Sequence, residues 1–179
     1  ARLIPEKRPE MVIEAVAEAE ARGRPVNAVF IGSDPDGVYE QLAEARIPGR
    51  AVFTGPVHDA AGLAGYFEQA SVTVVPDYGG LSIPHSLIHG VPVVANDDPS
   101  ANGPDYEYLV AHEGAPDQNG SVFPAGDGGS FCSQIIRWCY DEPIGAEDRA
   151  RIRSAARSQA SPQLGAERVL GAVRACFAR

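Results

Sequence analysis

Short, valine-rich apolar runs alternate with longer amphipathic segments along the chain, and this alternation limits the folds that the chain can adopt. The runs are VNAVFIG, RAVFTG, SVTVVP, PVVAN and GSVFPAG, and each is nearly continuous in apolar residues. Strands that are buried on both faces have this composition, as in parallel sheets covered by helices. The pattern therefore predicts an α/β fold with a doubly wound, mostly parallel sheet, Rossmann-like in its strand–helix alternation, and extra helices at the carboxyl end.

The segments between the apolar runs have helical periodicity. In PEMVIEAVAEAEARG, apolar residues recur at helical spacing with acidic residues opposite them, and Gly23 ends the pattern. We expect further helices in DGVYEQLAEAR, DAAGLAGYFEQA, SIPHSLIHG and PDYEYLVAHEG, and three more that begin near Gly129, Ala146 and Pro162. A chain of 179 residues with no linker is expected to form one domain over residues 1–179.

The amino-terminal stretch ARLIPEKRPE is irregular, because it has the character of a loop after a strand and no apolar run precedes it. Either the first strand of the sheet lies outside this chain or another element takes its place. We therefore expect the chain to be a fragment of a longer, two-domain protein.

Composition narrows the functional classes. The net charge of −9, from 15 basic and 24 acidic residues, argues against binding to nucleic acid or to anionic lipid. Cys132 and Cys139 lie seven residues apart on a predicted helix, and we expect both to be reduced core residues. No apolar run approaches the roughly 20 residues that span a bilayer, and no signal peptide precedes the first helix, so a cytoplasmic location is expected.

The segment PDYGGLSIPHSLIHG follows the third apolar run and contains a glycine pair before a short predicted helix. Gly79 and Gly80 permit positive φ and a close approach of the backbone. If the helix begins near Ser82, with Pro84 in its first turn, unbonded amides and the helix dipole favour an anion such as phosphate. An ordinary turn between a strand and a helix is the alternative.

Two basic residues, Arg2 and Lys7, precede the first helix and are expected at the same edge of the sheet. An arginine and a lysine that converge near a helix terminus suit a diphosphate. The alternative is a solvated charge run, since Glu6, Arg8 and Glu10 are close by.

The motifs RLIPEK, FTGPV and HGVPVVA, in this order and spacing, resemble the C-terminal, donor-binding half of a GT-B glycosyltransferase of the large retaining group called family 4. The likeness runs from Arg2 to about Asp127 and continues loosely through the terminal helices. Such enzymes have two facing Rossmann-like domains and bind a sugar nucleotide in the cleft. The resemblance implies that this chain contains one of the two.

The resemblance also implies roles for individual residues. Arg2 and Lys7 match the basic pair that holds the donor diphosphate and stabilises charge on the departing nucleotide. The segment whose backbone amides contact the distal phosphate corresponds to Gly80, Leu81 and Ser82.

The loop that flanks the nucleobase in this family, largely through backbone contacts, corresponds to Phe53, Gly55 and Val57. No cofactor is implied, because the nucleotide-diphosphate sugar is the donor substrate and GT-B enzymes generally need no bound metal. We accordingly interpret Asp97 and Asp98 as turn residues rather than as magnesium ligands.

The chain departs from the family at two places. The family commonly has two glutamates separated by seven residues across the glycine turn, and those places hold Asp77 and His85. Asp77 keeps a carboxylate for the donor sugar, whereas His85 can bond a ribose hydroxyl or a phosphate without a carboxylate's two acceptors. The motifs GL, H-S-L and G-x-P-V occur here in an order that resembles a bacterial subgroup of the family, so we interpret His85 as a signature of that subgroup. The alternative is that His85 is a helix residue with only local contacts. His89 is expected to interact with the carboxyl end of its helix.

The resulting hypothesis is a glycosyltransferase donor domain, catalytically inactive alone, with Arg2, Lys7 and Asp77 as its catalytic residues. Its partners would be a nucleotide sugar, an acceptor domain on the amino-terminal side and a glycan or lipid-linked acceptor, with membrane contact only through that other domain. A noncatalytic GT-B-like binding module, which the histidine at position 85 favours, and half of a sugar-nucleotide epimerase are the alternatives. The sequence does not indicate a dinucleotide dehydrogenase, since FIGSDPDG is not a G-x-G-x-x-G fingerprint.

Overall fold

The structure, a computed structural model, describes residues 2–102, 109 and 119–159. A short 3-10 helix, Pro5–Lys7, precedes the elements α1 Pro9–Ala21, β1 Ala28–Ile31, α2 Val38–Arg46, β2 Ala51–Gly55, α3 Ala60–Gln69, β3 Thr73–Val75, α4 Ser82–Ile88, β4 Val93–Asn96, α5 Pro99–Asn102, β5 Gly120–Phe123, α6 Gly128–Ile136, a π-helix Arg137–Asp141, and α7 Ala146–Gln159. The predicted helix PDYEYLVAHEG, apart from Leu109, and the one near Pro162 lie outside the described residues.

The described strands pair in parallel and form two sheets, one in the order β1-β2 and one in the order β3-β4-β5. Helices lie between successive strands in the chain, as the alternation of apolar runs and helical segments predicts. The predicted α/β fold class is therefore confirmed.

Helix α1 packs against both sheets. Ile13 and Val16 lie in a core with Phe30 of β1, whereas Met11 lies in a second core with Val94 of β4. On the same side, α1 contacts α2 on one flank and α6 on the other. Since α6 also contacts β4 and β5, and α2 contacts β2, α1 lies above the boundary between the two sheets.

The opposite face of the second sheet is covered by α4 and α7. Val93 points to this face, where it forms a core with Ile83, Leu87 and Ile152. Its neighbour Val94 points to the face of α1 and α6, as the alternation of side chains along a strand requires. The second sheet is thus buried on both faces, which explains the continuous apolar composition of its strands.

The amino terminus runs beside β1 for only two residues. Leu3 N donates to Ser33 O at 2.9 Å, and Arg2 forms an isolated parallel bridge with Ser33. In the described part of the chain, no strand pairs with the edge of β3 that faces away from β4. The irregularity in the sequence ARLIPEKRPE therefore corresponds to a break in strand pairing between β1 and β3 among the described residues.

Two further predictions can be compared with the structure. Cys132 is buried in α6 and Cys139 is half-buried in the π-helix, and the two are not joined by a disulfide. Burial raises the pKa of both thiols, so the uncharged form is favoured. Among the described residues, no helix is both long enough and apolar enough to cross a membrane.

Candidate functional site

The segment Asp77–Leu81 connects β3 to α4, and we call it the elbow. Tyr78 and Gly80 both have left-handed backbone conformations, with φ of 46° and 45°. This conformation is strained for a tyrosine and relaxed for a glycine. Tyr78 and Leu81 are 57% and 69% exposed, so the elbow lies at the surface. Asp77 Oδ1 accepts from Tyr78 N at 2.9 Å, which ties the Asp77 carboxylate to the elbow's own backbone.

Three successive amides of the elbow have no acceptor in the described part of the chain, namely those of Gly79, Gly80 and Leu81. The next amide, that of Ser82, donates to Gly79 O at 3.1 Å. Gly80 and Leu81 are exposed and Gly79 is buried, so this row of adjacent donors is open to water or to another external acceptor at Gly80 and Leu81. Helix α4 has only seven residues, so these donors belong to the loop and not to the end of a long helix.

A buried amide network supports the elbow from below. Asn96 Nδ2 donates to Pro76 O at 2.7 Å, and Asn102 Nδ2 donates to Asn96 Oδ1 at 2.9 Å. A Cβ atom at Gly79 would lie 2.8 Å from Val75 Cγ1 and 2.9 Å from Asn102 Oδ1, so packing requires glycine there. Sequence analysis missed the pair of Asn96 and Asn102, although an asparagine at the end of an otherwise apolar strand was a usable signal.

The two basic residues are placed near the carboxyl end of β1. Arg2 is exposed beside Ser33, and Lys7 is half-buried at the end of the 3-10 helix. Within the described residues neither forms an ion pair, and Glu10 pairs with Arg8 at 3.4 Å. The charge run is therefore only partly neutralised by its own acidic residues.

The expected nucleobase loop begins inside β2, because Phe53 and Gly55 belong to the strand and only Val57 lies in the loop after it. The Phe53 ring stacks on the Phe30 ring, with centroids 4.6 Å apart and planes 10° from parallel, in the core beneath α1 and α2. Gly55 has a φ of 67°, and its carbonyl accepts from Gly32 N at 3.0 Å. Val57 is half-buried in the loop that follows. The Phe53 side chain is thus engaged in core packing, so Phe53 can offer a ligand its main chain but not its ring.

The two histidines of the α4 region have different surroundings. His85 is exposed on α4, whereas His89 is half-buried and stacks on Phe67 with ring centroids 4.8 Å apart. Burial lowers the pKa of His89, and the nearby His85 and Arg153 lower it further. His89 is the C-cap residue of α4, at the end of the helix where it was expected, and its lowered pKa favours the neutral ring.

The adjacent acidic residues after β4 form loop contacts. Asp98 Oδ1 accepts from Ser100 N at 2.8 Å and from Ser100 Oγ at 2.6 Å, and these hydrogen bonds lower the pKa of Asp98. Asp97 Oδ1 accepts from Ala125 N at 2.9 Å. Asp98 is thus held in a local turn with Ser100, whereas Asp97 binds an amide of the loop after β5. Among the described residues, no cluster of three potential metal ligands occurs.

Comparison with solved structures identifies the fold. TarM matches with a TM-score of 0.72 at 17% identity, over 96% of this chain and 33% of TarM. Sucrose-phosphate synthase from Thermosynechococcus elongatus matches with a TM-score of 0.64 at 23% identity, over 99% of this chain and 44% of that one. The catalytic domain of cholesterol-α-glucosyltransferase from Helicobacter pylori matches with a TM-score of 0.65 at 17% identity, over 88% of this chain and 92% of that one. The fold is thus that of a Rossmann-like domain of GT-B glycosyltransferases.

The family follows from the sequence match. Residues 1–141 match the family model described as glycosyl transferases group 1. The chain belongs to this family, and the resemblance to the C-terminal domain of a GT-B glycosyltransferase is confirmed. A comparison with curated proteins finds no match. The chain spans about a third of the length of TarM, the first of the solved structures it matches.

Proposed function

We propose that this chain is the donor domain of a glycosyltransferase and binds a nucleotide-diphosphate sugar for transfer to a glycan or lipid-linked acceptor. The observation that carries the proposal is the row of unpaired amides at Gly79, Gly80 and Leu81, in a chain that belongs to a glycosyltransferase family. A phosphate group supplies several acceptor oxygens, and backbone donors bind it without the entropy cost of ordering long side chains.

The diphosphate would be held from two sides. The elbow amides, with Ser82 next to them, would contact the distal phosphate. Arg2 and Lys7 would neutralise the remaining charge and stabilise the negative charge that develops on the leaving nucleotide. Neither side chain has an ion-pair partner in the described part of the chain, which leaves both available for this role.

The other assigned residues would orient the sugar and the nucleoside. We assign the Asp77 carboxylate to the donor sugar and the exposed His85 ring to a ribose hydroxyl. The nucleobase would lie against the carboxyl end of β2 and the start of the next loop, at Phe53, Gly55 and Val57. It would contact the main chain of Phe53, since the Phe53 ring is stacked in the core.

Two neighbours support a nucleoside diphosphate as the ligand class. A TarM variant from S. aureus was solved with UDP and alpha-GlcNAc-glycerol, and the pneumococcal O-GlcNAc transferase GtfA with UDP and GlcNAc. Because this chain spans only part of their length, we propose that an amino-terminal domain seats the acceptor and that transfer retains the anomeric configuration. The chain alone would then bind nucleotide without transferring sugar, and any membrane contact would come from that other domain.

The test is isothermal titration of the chain with UDP, GDP and ADP. One of the three should bind, and Arg2→Ala or Lys7→Ala should weaken its affinity by about 10- to 100-fold, as expected when a hydrogen bond to a charged group is lost. Arg8→Asn is the matched control, because it removes one positive charge beside Lys7 and asparagine tolerates the φ of 51° at that position.

The outcomes separate the alternatives. Equal loss in all three variants would mean that only overall charge matters, and unchanged affinity in Arg2→Ala and Lys7→Ala would refute the proposed roles. If the chain binds a nucleotide but the full-length protein transfers no sugar, the noncatalytic binding module is the better description. Turnover of a nucleotide sugar without any acceptor would identify an epimerase.

A further inference from the structure

We propose that Tyr78 is a specificity residue of the donor site, and that its ring packs against the apolar face of the sugar that the nucleotide diphosphate carries. This assignment rests on the proposed function, because it requires the distal phosphate to lie at the elbow. Three observations carry it: the backbone conformation of Tyr78, the exposure of its ring, and its position in the chain between groups already assigned to the donor.

The backbone of Tyr78 is strained, although it forms no cap between two elements. In the described part of the chain, two residues other than glycine have a left-handed conformation, Arg8 with a φ of 51° and Tyr78 with a φ of 46°. Arg8 joins the 3-10 helix to α1, and its N–H donates to Pro5 O at 3.0 Å while its carbonyl accepts from Met11 N at 3.0 Å. Tyr78 N donates only to the carboxylate of its own neighbour, Asp77. Glycine or asparagine would adopt this conformation with less strain.

The ring of Tyr78 is not held by the fold. It is 57% exposed and belongs to none of the hydrophobic cores of the described residues. Within that part of the chain it stacks on no other ring, and its hydroxyl has no hydrogen-bond partner. Tyr140, in contrast, donates its hydroxyl to Pro25 O and packs under the Arg24 guanidinium. A strained residue with an unengaged aromatic side chain indicates contact with a ligand rather than with the protein.

The position of Tyr78 selects the part of the donor that its ring would contact. The elbow follows the carboxyl end of β3, and ligands bind at the carboxyl ends of the strands in parallel α/β sheets. The amides to which we assign the distal phosphate, those of Gly79, Gly80 and Leu81, follow Tyr78 directly. The sugar is joined to that phosphate through a single oxygen atom, whereas a second phosphate and the ribose separate it from the nucleobase. The sugar is therefore the ring nearest to Tyr78.

Asp77 supplies the polar part of the same contact. Its Oδ1 accepts from Tyr78 N at 2.9 Å, and its Oδ2 has no donor in the described residues. A pyranose presents hydroxyl groups at its edge and C–H groups on its faces. A carboxylate oxygen accepts from a hydroxyl, and the electron-rich face of a tyrosine ring attracts the weakly positive C–H groups. Asp77 and Tyr78 thus offer one partner for each kind of surface.

The test compares the affinities of the chain for nucleoside diphosphates and for their sugar esters by isothermal titration. The probes are UDP, GDP and ADP, together with UDP-glucose, UDP-N-acetylglucosamine, GDP-mannose and ADP-glucose. Tyr78→Asn removes the ring and introduces a residue that tolerates a positive φ. It should weaken the binding of the tightest nucleotide sugar by about 3- to 10-fold, as expected for the loss of one aromatic contact. The affinity for the parent diphosphate should change by less than about twofold.

Two further variants are the controls. Tyr78→Phe should retain the affinity for the nucleotide sugar, because the ring face remains. Arg8→Asn, at the other left-handed position, should leave the ratio of the two affinities unchanged. The unfolding temperature of Tyr78→Asn should be equal to or above that of the wild type, because strain is relieved and no packing is lost.

Several results would overturn the assignment and leave the donor-domain proposal intact. An equal loss for diphosphate and nucleotide sugar in Tyr78→Asn would mean that Tyr78 acts on the nucleotide or through the backbone of the elbow, and unchanged affinity for both would exclude a contact with the donor. Equal losses in Tyr78→Phe and Tyr78→Asn would assign the contact to the hydroxyl, and a lowered unfolding temperature would identify Tyr78 as a packing residue. A wild-type chain that binds none of the probes would refute the assignment and the proposed function together.

Discussion

Asn102 Nδ2 donates to Asn96 Oδ1 at 2.9 Å, and both side chains are buried beneath the elbow. The same nitrogen also approaches Asn96 O at 3.0 Å, while Asn96 donates to Pro76 O at 2.7 Å. The pair therefore joins the end of β4, the helix α5 and the start of the elbow. It provides a rigid base for the segment to which we assign phosphate binding.

The first prediction concerns this pair. Asn102→Ala should lower the free energy of unfolding by about 1–3 kcal/mol, because it removes the donor to the buried Asn96 O and one of the two donors to Asn96 Oδ1. The measurement is urea denaturation. Gln69→Ala is the control, since it removes an amide side chain whose hydrogen bond to Gly65 O is exposed, and a change within about 0.5 kcal/mol is expected. Equal stability of the two variants would contradict the role of the buried pair.

The second prediction tests the register of β4 and β5. A Cβ atom at Gly120 would lie 2.0 Å from Val93 O, so Gly120→Ala should push the strands apart and destabilise the protein by about 1–3 kcal/mol or more. Gly65→Ala is the matched control in α3, where no atom lies within 4 Å of the added methyl group. This variant should gain about 0.5–1 kcal/mol from helix propensity. A Gly120→Ala protein as stable as the wild type would show that the register is wrong.

The third prediction concerns the attachment of α3. Arg149 donates to Phe67 O at 3.2 Å and to Ala70 O at 2.6 Å, so it satisfies carbonyls at the carboxyl end of this poorly buried helix. Arg149→Met should cost about 1.5–3 kcal/mol in unfolding free energy and accelerate amide exchange within α3. Arg46→Met removes an exposed ion pair with Glu14 and should cost less than about 1 kcal/mol. If amide exchange in α3 is the same in both variants, Arg149 does not hold the helix.

The fourth prediction is a pH dependence of stability. The pKa of His89 is lowered by burial and by the nearby His85 and Arg153, against an opposing effect of Glu68. A histidine whose folded pKa is lowered contributes its full stability above its unfolded pKa of about 6.5. That contribution is lost as the pH falls through the folded value.

The unfolding free energy of the wild type should therefore fall more steeply below pH 6.5 than that of His89→Gln, which has no ring to protonate. The measurement is a series of urea denaturation curves between about pH 7.5 and pH 5. His58→Gln is the control, because His58 is exposed in the loop before α3 and should leave the curve unchanged. Parallel curves for wild type and His89→Gln would refute the effect.

The fold was predictable where the sequence pattern is local. The periodicity from Pro9 to Ala19 and the glycine at position 23 predicted α1 nearly to its ends. The strand in SVTVVP ends at Val75, because Pro76 lacks an amide donor and the elbow begins one residue later. Its start at Thr73 depends on pairing with β4, and a single sequence does not contain that information.

Parts of the site depend on contacts between residues distant in sequence or on packing. The Asn96–Asn102 pair forms only after β4 and α5 are in place, so each asparagine alone reads as a capping or turn residue. The stacking of His89 on Phe67 joins α4 to α3, and no spacing rule links those positions. The backbone character of the elbow, in contrast, followed directly from two adjacent glycines.

Helix α1 has a consequence for how the molecule unfolds. Its side chains belong to the cores of both sheets, and Val12 packs against each. Loss of either sheet would expose one side of α1 and weaken the packing of α1 on the remaining sheet. This coupling holds although no described strand connects the two sheets by hydrogen bonds. The two halves should therefore unfold together in one cooperative transition, because α1 couples the stability of each half to that of the other.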